Sequence, residues 1–361
     1  MTLDEGNRSK YGGFKLFLED GGAYVGVADD QTLLGYTYLS FSDYLGDRRL
    51  YAAFSSVESF SNFDVWYVDQ RRRWAWSVRL FDNRSYYYAI DQQTGFSERG
   101  QAAYSLTGAT ASISYPFNVY NRVTAGVGYM LRELDYQAVV FDPLTGEPIY
   151  SIEPREDDFP VFELSLIGDS AVFADYGPVS GRRYRFNGSY APMTDGGGTL
   201  TANADFEVRQ YIQATERSNF SLRFFGGAAW GEFPTPYYFG GLDTVRGFDY
   251  RSLAGDRAFF ANLEFRFPLV DAFITPIFGF RGIRGRIFLD VGGAWWDYAG
   301  ETFTFWNSDE GRLEDAVSAY GWGITVAFGG LDLNWDFAQQ WDFSSSTEDG
   351  FRTSFWIGTG F

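Results

Sequence analysis

The stretch Gly240-Gly241-Leu242-Asp243-Thr244-Val245-Arg246-Gly247-Phe248 decides how the rest of the chain is read. It lies in a loop rich in Gly, Pro and aromatics, between two segments whose side chains alternate strictly between apolar and polar. An arginine set between a β-branched residue and a glycine, beside such a sheet, needs acidic partners. Glu264 and Asp290 are the downstream candidates, and both fall on the polar set of their segments. A guanidinium carries five donors in a planar fork, so one arginine can engage two carboxylates and neighbouring carbonyls at once. Gly247 suits a positive φ or a close backbone approach. The implied architecture is all-β: an antiparallel transmembrane β-barrel with this loop folded into its lumen.

Working outward, period-two alternation recurs from about residue 11 to the last residue. Leu200, Ala202, Ala204, Phe206 and Val208 face one way; Thr201, Asn203, Asp205, Glu207 and Arg209 face the other. Phe259, Ala261, Leu263, Phe265 and Phe267 alternate with Phe260, Asn262, Glu264 and Arg266. Leu331, Leu333, Trp335 and Phe337 alternate with Asp332, Asn334 and Asp336, and Tyr184, Phe186 and Tyr190 oppose Arg183, Arg185, Asn187 and Ser189. In a sandwich the large outer Phe and Trp residues would meet water. In a membrane barrel they meet lipid, while the charged face lines the lumen.

Sixteen strands are expected, at 11–18 (or 22–28), 32–42, 49–57, 62–69, 74–87, 99–116, 122–136, 160–173, 180–190, 199–213, 219–231, 257–268, 284–296, 317–328, 331–341 and 351–361. The barrel then occupies 11–361, after a lead-in at 1–10, with the inward-folded loop as the sixth on its surface side. An even count puts both ends on one side, where joins are tight (Gln70 to Arg73, Phe117 to Asn121, Gly329-Gly330). The other side carries the long connections 137–159, 232–256, 297–316 and 341–350. The 269–283 connection is long yet falls on the short-turn side.

Composition agrees. The chain has 11 Trp, 25 Tyr and 37 Phe among 361 residues, 42 Gly, and a net charge of −18. Mean hydropathy is slightly negative, at −0.23. No run approaches the roughly 18 apolar residues of a membrane helix. The acidic balance argues against a nucleic-acid partner. Much of the acid is read as solvated loop, as at Glu153 to Asp158 and Asp309 to Asp315. Cysteine and histidine are absent and lysine occurs only at Lys10 and Lys15. Histidine-based hydrolysis and His-containing metal sites are therefore excluded. Gly196-Gly197-Gly198 is a loop with no lysine or helix after it, so it is no phosphate cradle. No enzyme activity and no cofactor are expected. Met1 to Lys10 is polar without an apolar core, so the expected precursor is longer at its N-terminus.

The chain ends Phe351-Arg352-Thr353-Ser354-Phe355-Trp356-Ile357-Gly358-Thr359-Gly360-Phe361, with Phe351, Phe355, Ile357 and Phe361 on the lipid face. A final strand stopping at a terminal aromatic is similar to the assembly signal of bacterial outer-membrane proteins. Together with Val245-Arg246-Gly247-Phe248, Glu264 in Ala261-Asn262-Leu263-Glu264-Phe265 and Asp290 in Ile287-Phe288-Leu289-Asp290-Val291-Gly292, the sequence resembles the BamA, TamA and FhaC superfamily of sixteen-stranded assembly and translocation barrels. The resemblance is most specific from about residue 220 to 361. It implies the bacterial outer membrane, contact with its lipid, and a client polypeptide or outer-membrane protein as partner. It also implies a loop arginine pairing with the acids of the twelfth and thirteenth strands. Periplasmic POTRA domains usually precede such barrels and none fits before the first strand. The resemblance therefore implies either a further N-terminal region or a barrel-only or differently fused subgroup, with periplasmic accessory domains or subunits as further partners. Gly358 and Gly360 would weaken packing where first and last strands meet. Two other readings stay open: a passive diffusion channel lined by Arg183, Arg185, Arg209 and Arg223, or a barrel anchoring a larger fused protein.

Overall fold

A computed structural model describes residues 15–27, 33–57, 60–89, 100–141, 148–174, 176–194, 196–270, 273–274, 279–280, 282–297, 302–328, 331–347 and 350–357. Sixteen of the described strands form a closed antiparallel wall. They are β1 (Phe17–Val27), β2 (Leu33–Ser42), β3 (Arg48–Val57), β4 (Phe60–Asp69), β5 (Ala75–Ala89), β6 (Gly100–Pro116), β7 (Asn121–Phe141) and β8 (Pro148–Asp169), then β9 (Gly177–Pro192), β10 (Thr199–Gln213), β11 (Asn219–Trp230), β12 (Arg257–Val270), β13 (Gly282–Trp295), β14 (Val317–Phe328), β15 (Leu331–Gln340) and β16 (Arg352–Ile357). Each pairs with its neighbour in sequence, and β1 pairs with β16 to close the ring. Closure leaves no long open edge in lipid, where unpaired backbone groups are costly.

Alternation sorts the side chains as lipid and lumen require. Ile113, Val127 and Leu164 are each more than half exposed on the outer face, whereas Asn334 and Asp290 are at most 1% exposed inside. Outward rings form ladders across strands, as Phe186, Phe206 and Phe224 do at 5.9 and 5.5 Å. Inward charges pair across strands instead, for example Arg79 with Asp64 on β4 and Arg286 with Asp336 on β15.

The wall is uneven in height. β7 and β8 run 21 and 22 residues, against 10 for β2. About 9–11 residues suffice to cross, so β7 and β8 rise well beyond the membrane on the long-loop side. This corrects the reading of 137–159 as loop. The two strands stay paired from Asn121↔Gly168 to Phe141↔Pro148, and the acidic run at 153–158 lies on β8. Charge suggested solvated coil there, but the hairpin carries its own counter-ion: Asp157 takes a 2.8 Å bond from Arg132 of β7.

Two other departures concern the lumen and the first strand. Leu200, grouped by alternation with the outward set, is buried inside against Phe81, Met130, Phe159, Val161 and Ala191. The β9–β10 register slips at Ala191/Pro192, and a one-residue slip turns a side chain to the opposite face. One flank of the upper lumen is thus apolar rather than lined throughout by polar groups. β1 covers the described part of the second candidate first strand, 22–28, and starts earlier, at Phe17, because Gly21 and Gly22 stay in register with Leu39 and Tyr38. Of the first candidate, 11–18, residues 11–14 lie outside the described residues. The expected end of β16 at Gly358, Gly360 and Phe361 lies outside the described residues.

Candidate functional site: the loop arginine and the lumen wall

The long connection between β11 and β12 contains a short hairpin, Tyr237–Phe239 with Leu253–Gly255, and the nine-residue motif. Its tip is closed locally. Gly240 N–H donates to the Thr244 hydroxyl at 2.8 Å, and Gly241 N–H to the Val245 carbonyl at 3.0 Å. Gly240 and Gly241 sit at φ 122° and 78°, a backbone region L side chains rarely adopt. This turn presents Val245, fully buried, to Phe239, Ala258 and Phe260, and seats Leu242 against Leu34 and Trp356.

Arg246 follows at 3% exposure. Its Nε donates to Asp290 Oδ2 and its Nη2 to Asp290 Oδ1, both at 2.7 Å, a bidentate pair. Its Nη1 donates to Glu264 Oε1 at 2.6 Å, and its own backbone N–H adds a 3.1 Å bond to Asp290. The guanidinium carbon lies 3.6 Å from the centre of the Phe288 ring. Burial by itself would lower the Arg246 pKa, but the charges of Asp290 and Glu264 outweigh it and the net displacement is upward. The structure therefore brings Arg246, Glu264 and Asp290 into one buried cluster. Val245 and Phe248 flank it as apolar packing, and Gly247 holds φ at 82° where a Cβ would come within 3.1 Å of Ala338.

Several partners of this loop are not expected as such from the sequence, Arg223 among them, which reads there as pore lining. Asn262 donates to Asp290 at 2.8 Å and also to the Thr244 carbonyl, and Arg266 covers the second oxygen of Glu264 at 2.6 Å. Gln340 donates to the Gly247 carbonyl at 2.6 Å, Arg223 to the Asp243 carbonyl at 2.7 Å, and Arg352 pairs with Asp249 at 2.7 Å. A second network lies beside it. Arg286 holds both oxygens of Asp336 at 2.6 and 2.7 Å, and the Trp356 indole N–H reaches Asp336 at 3.3 Å. Inward parity was the available signal for Arg286, Asp336 and Asn262, but parity alone does not say which inward groups the loop will meet.

Gly292 of β13 leaves room for the loop, since a Cβ there would stand 2.8 Å from Phe239 and 2.9 Å from Val245. Gly292→Ala is expected to cost about 1–3 kcal/mol through overpacking. Thermal unfolding in detergent checks it, with Gly226→Ala on the same scale as a comparison remote from the motif.

Three of the four arginines considered as pore lining, Arg183, Arg209 and Arg223, are partnered. Glu207 receives Arg223 at 3.0 Å and also Arg209, and Arg183 pairs with Asp169 at 2.9 Å. Beneath the loop tip the lumen opens into a cavity of about 1100 Å³, bordered by Tyr24, Leu242, Asp243, Glu264, Arg286 and Trp356 among others. The β1–β16 contact adjoins it, and among the described residues it pairs Val25↔Ile357, Gly26↔Trp356 and Val27↔Phe355.

The Omp85 superfamily domain model matches residues 37–361. Among solved structures, BamA from Haemophilus ducreyi lacking POTRA domains 1-3 is similar at TM-score 0.66 and 13% identity, over 94% of this chain and 70% of that one. CdiB from Escherichia coli is similar at TM-score 0.58 and 11% identity, over 93% of this chain and 62% of that one. CdiB from Acinetobacter baumannii follows at TM-score 0.52 and 11% identity, over 93% and 58%. No curated protein sequence matches the chain. A closed ring of sixteen strands, greasy outside and charged within, under a family model that covers nine-tenths of the sequence, makes this chain an outer-membrane β-barrel of the Omp85 superfamily, a family of assembly and translocation proteins rather than enzymes.

Proposed function

We propose that this barrel assembles or translocates client polypeptides at the β1–β16 seam, with the 231–256 loop braced across the lumen by Arg246. The observation that carries the reading is the seam itself, where the first and last strands meet beside the cavity through Val25↔Ile357, Gly26↔Trp356 and Val27↔Phe355 among the described residues. Parting the ring there exposes two strand edges onto which an extended client can add. The brace has a matching role. Val245, Arg246, Gly247 and Phe248 tie the loop to Glu264 of β12, Asp290 of β13 and Gln340 of β15, and Leu242 of the same loop touches Trp356 of β16. Loop and seam are thereby linked through the wall. Folding of the client strand supplies the driving force, with no cofactor, and the cavity side faces any periplasmic accessory domain or subunit.

A diffusion channel is the weaker reading, because three of the four lumen arginines proposed to line it are tied to Glu207 and Asp169 and one flank of the upper lumen is apolar, at Phe81, Met130, Phe159 and Leu200. The test uses the absence of cysteine. A Val25→Cys/Ile357→Cys chain, reconstituted in liposomes and oxidised, is expected to lose assembly of an unfolded small outer-membrane barrel supplied as probe, and to regain it on reduction. Folded probe is read by its heat-modifiable mobility in gels. Equal assembly in the locked and reduced states would overturn the seam.

A further inference from the structure

We propose that the turn joining β4 to β5 binds the phosphate of an anionic phospholipid in the leaflet on the short-turn side. The turn reads Gln70-Arg71-Arg72-Arg73-Trp74, three consecutive arginines in a chain whose net charge is −18. Their roles differ. Arg71 is spent on structure: it grips Asp69 through Nε and Nη2 at 2.6–3.0 Å, and Arg48 stands 4.0 Å from the same carboxylate. The nearby Asp43 is occupied by the backbone N–H groups of Asp47 and Arg48, at 2.8 and 3.4 Å. Arg72 and Arg73 are exposed and meet no carboxylate among the described residues. Each is laid against a ring instead, Arg72 5.7 Å from the centre of Trp74 and Arg73 5.1 Å from that of Tyr115.

Those rings define the depth. Trp74, Trp76, Tyr115 and Phe117 are all more than a third exposed, and Tyr67 packs at a tilt against Trp76, ring centres 5.4 Å apart. Above them on the outward face come Val78, Leu80 and Ile113. This is an aromatic girdle at the end of the lipid-facing wall, where rings settle at headgroup level. A guanidinium stacked on a ring keeps its in-plane N–H groups pointing outward, the arrangement that receives a phosphate in bidentate fashion. The acyl chains of the same lipid then lie along the apolar column above. An anionic headgroup fits better than a zwitterionic one, since it brings no ammonium to compete with two arginines. The proposal concerns the outer wall and is independent of the seam and the loop brace.

The experiment is native mass spectrometry of the folded barrel released from nanodiscs holding phosphatidylglycerol and phosphatidylcholine in equal amounts. The native chain is expected to retain phosphatidylglycerol preferentially, and less so as salt rises. An Arg72→Gln/Arg73→Gln chain should lose about thirtyfold of that preference, each arginine contributing about 1 kcal/mol beside an anionic surface. Arg72→Lys/Arg73→Lys should keep most of it, and Arg312→Gln, on the opposite rim, all of it. Equal retention of the two lipids by the native chain, or a salt-independent preference, would overturn the site even if the glutamine variant failed to fold. Displacement of the lipid by inorganic phosphate, or by a polyglutamate peptide, would reassign it to a free anion or an acidic chain.

Discussion

Arg246→Ala is expected to lower the unfolding free energy by about 3–5 kcal/mol, because a buried charge is left without its partner. The cost falls mainly on Asp290, which is fully buried and loses both guanidinium bonds, keeping only the Arg246 backbone N–H and Asn262. Glu264 retains Arg266 at 2.6 Å. An order of effects follows, with Arg246→Ala largest, Asp290→Asn next and Glu264→Gln smallest. Arg246→Lys should recover little, since an ammonium cannot reproduce the fork that spans both acids. Urea unfolding in detergent, followed by tryptophan fluorescence, checks the series. A ranking in which Glu264→Gln is the most damaging would contradict this division of labour.

The second large effect is expected at the opposite wall. Arg132 of β7 is 1% exposed, donates to the Phe233 carbonyl at 3.0 Å and to Asp157 at 2.8 Å, and lies over Phe159 at 5.4 Å. It therefore ties the start of the 231–256 loop to the tall β7–β8 hairpin, beside the apolar cluster of Phe81, Met130 and Phe159. Phe159→Ala is expected to cost about 3–5 kcal/mol from lost burial and the cavity left behind. Arg132→Ala should cost less, about 2–3 kcal/mol, because Asp157 keeps some contact with water. Arg132→Met/Asp157→Leu removes both charges together and should recover most of that loss. If the double variant is no better than Arg132→Ala, the pair does more than balance its own charges.

How far the fold is readable from residues depends on where one face of a strand must meet lipid. Strands such as 199–213 and 317–328 carry clean alternation, and the observed bounds coincide with the expected ones. The same parity marks Glu264 and Asp290 as inward groups, so acids suited to a loop arginine can be named before any coordinate. What the pattern hides is tertiary. The 153–158 run reads as loop because its charges have no visible partner; the partner, Arg132, lies 25 residues away on the paired strand. Leu200 misleads because one slip in register changes its face, and a slip leaves no mark in composition. Gln340, Asn262 and Arg223 meet the loop through its carbonyls, which sequence does not display.

The most direct test is single-channel recording of the native barrel and Arg246→Ala in planar bilayers. A lumen filled by a braced loop is expected to give small, fluctuating openings in the native protein, and larger, longer ones once the brace is removed. Large steady openings in the native chain, or identical traces from both proteins after both are shown to be folded, would contradict the braced lumen.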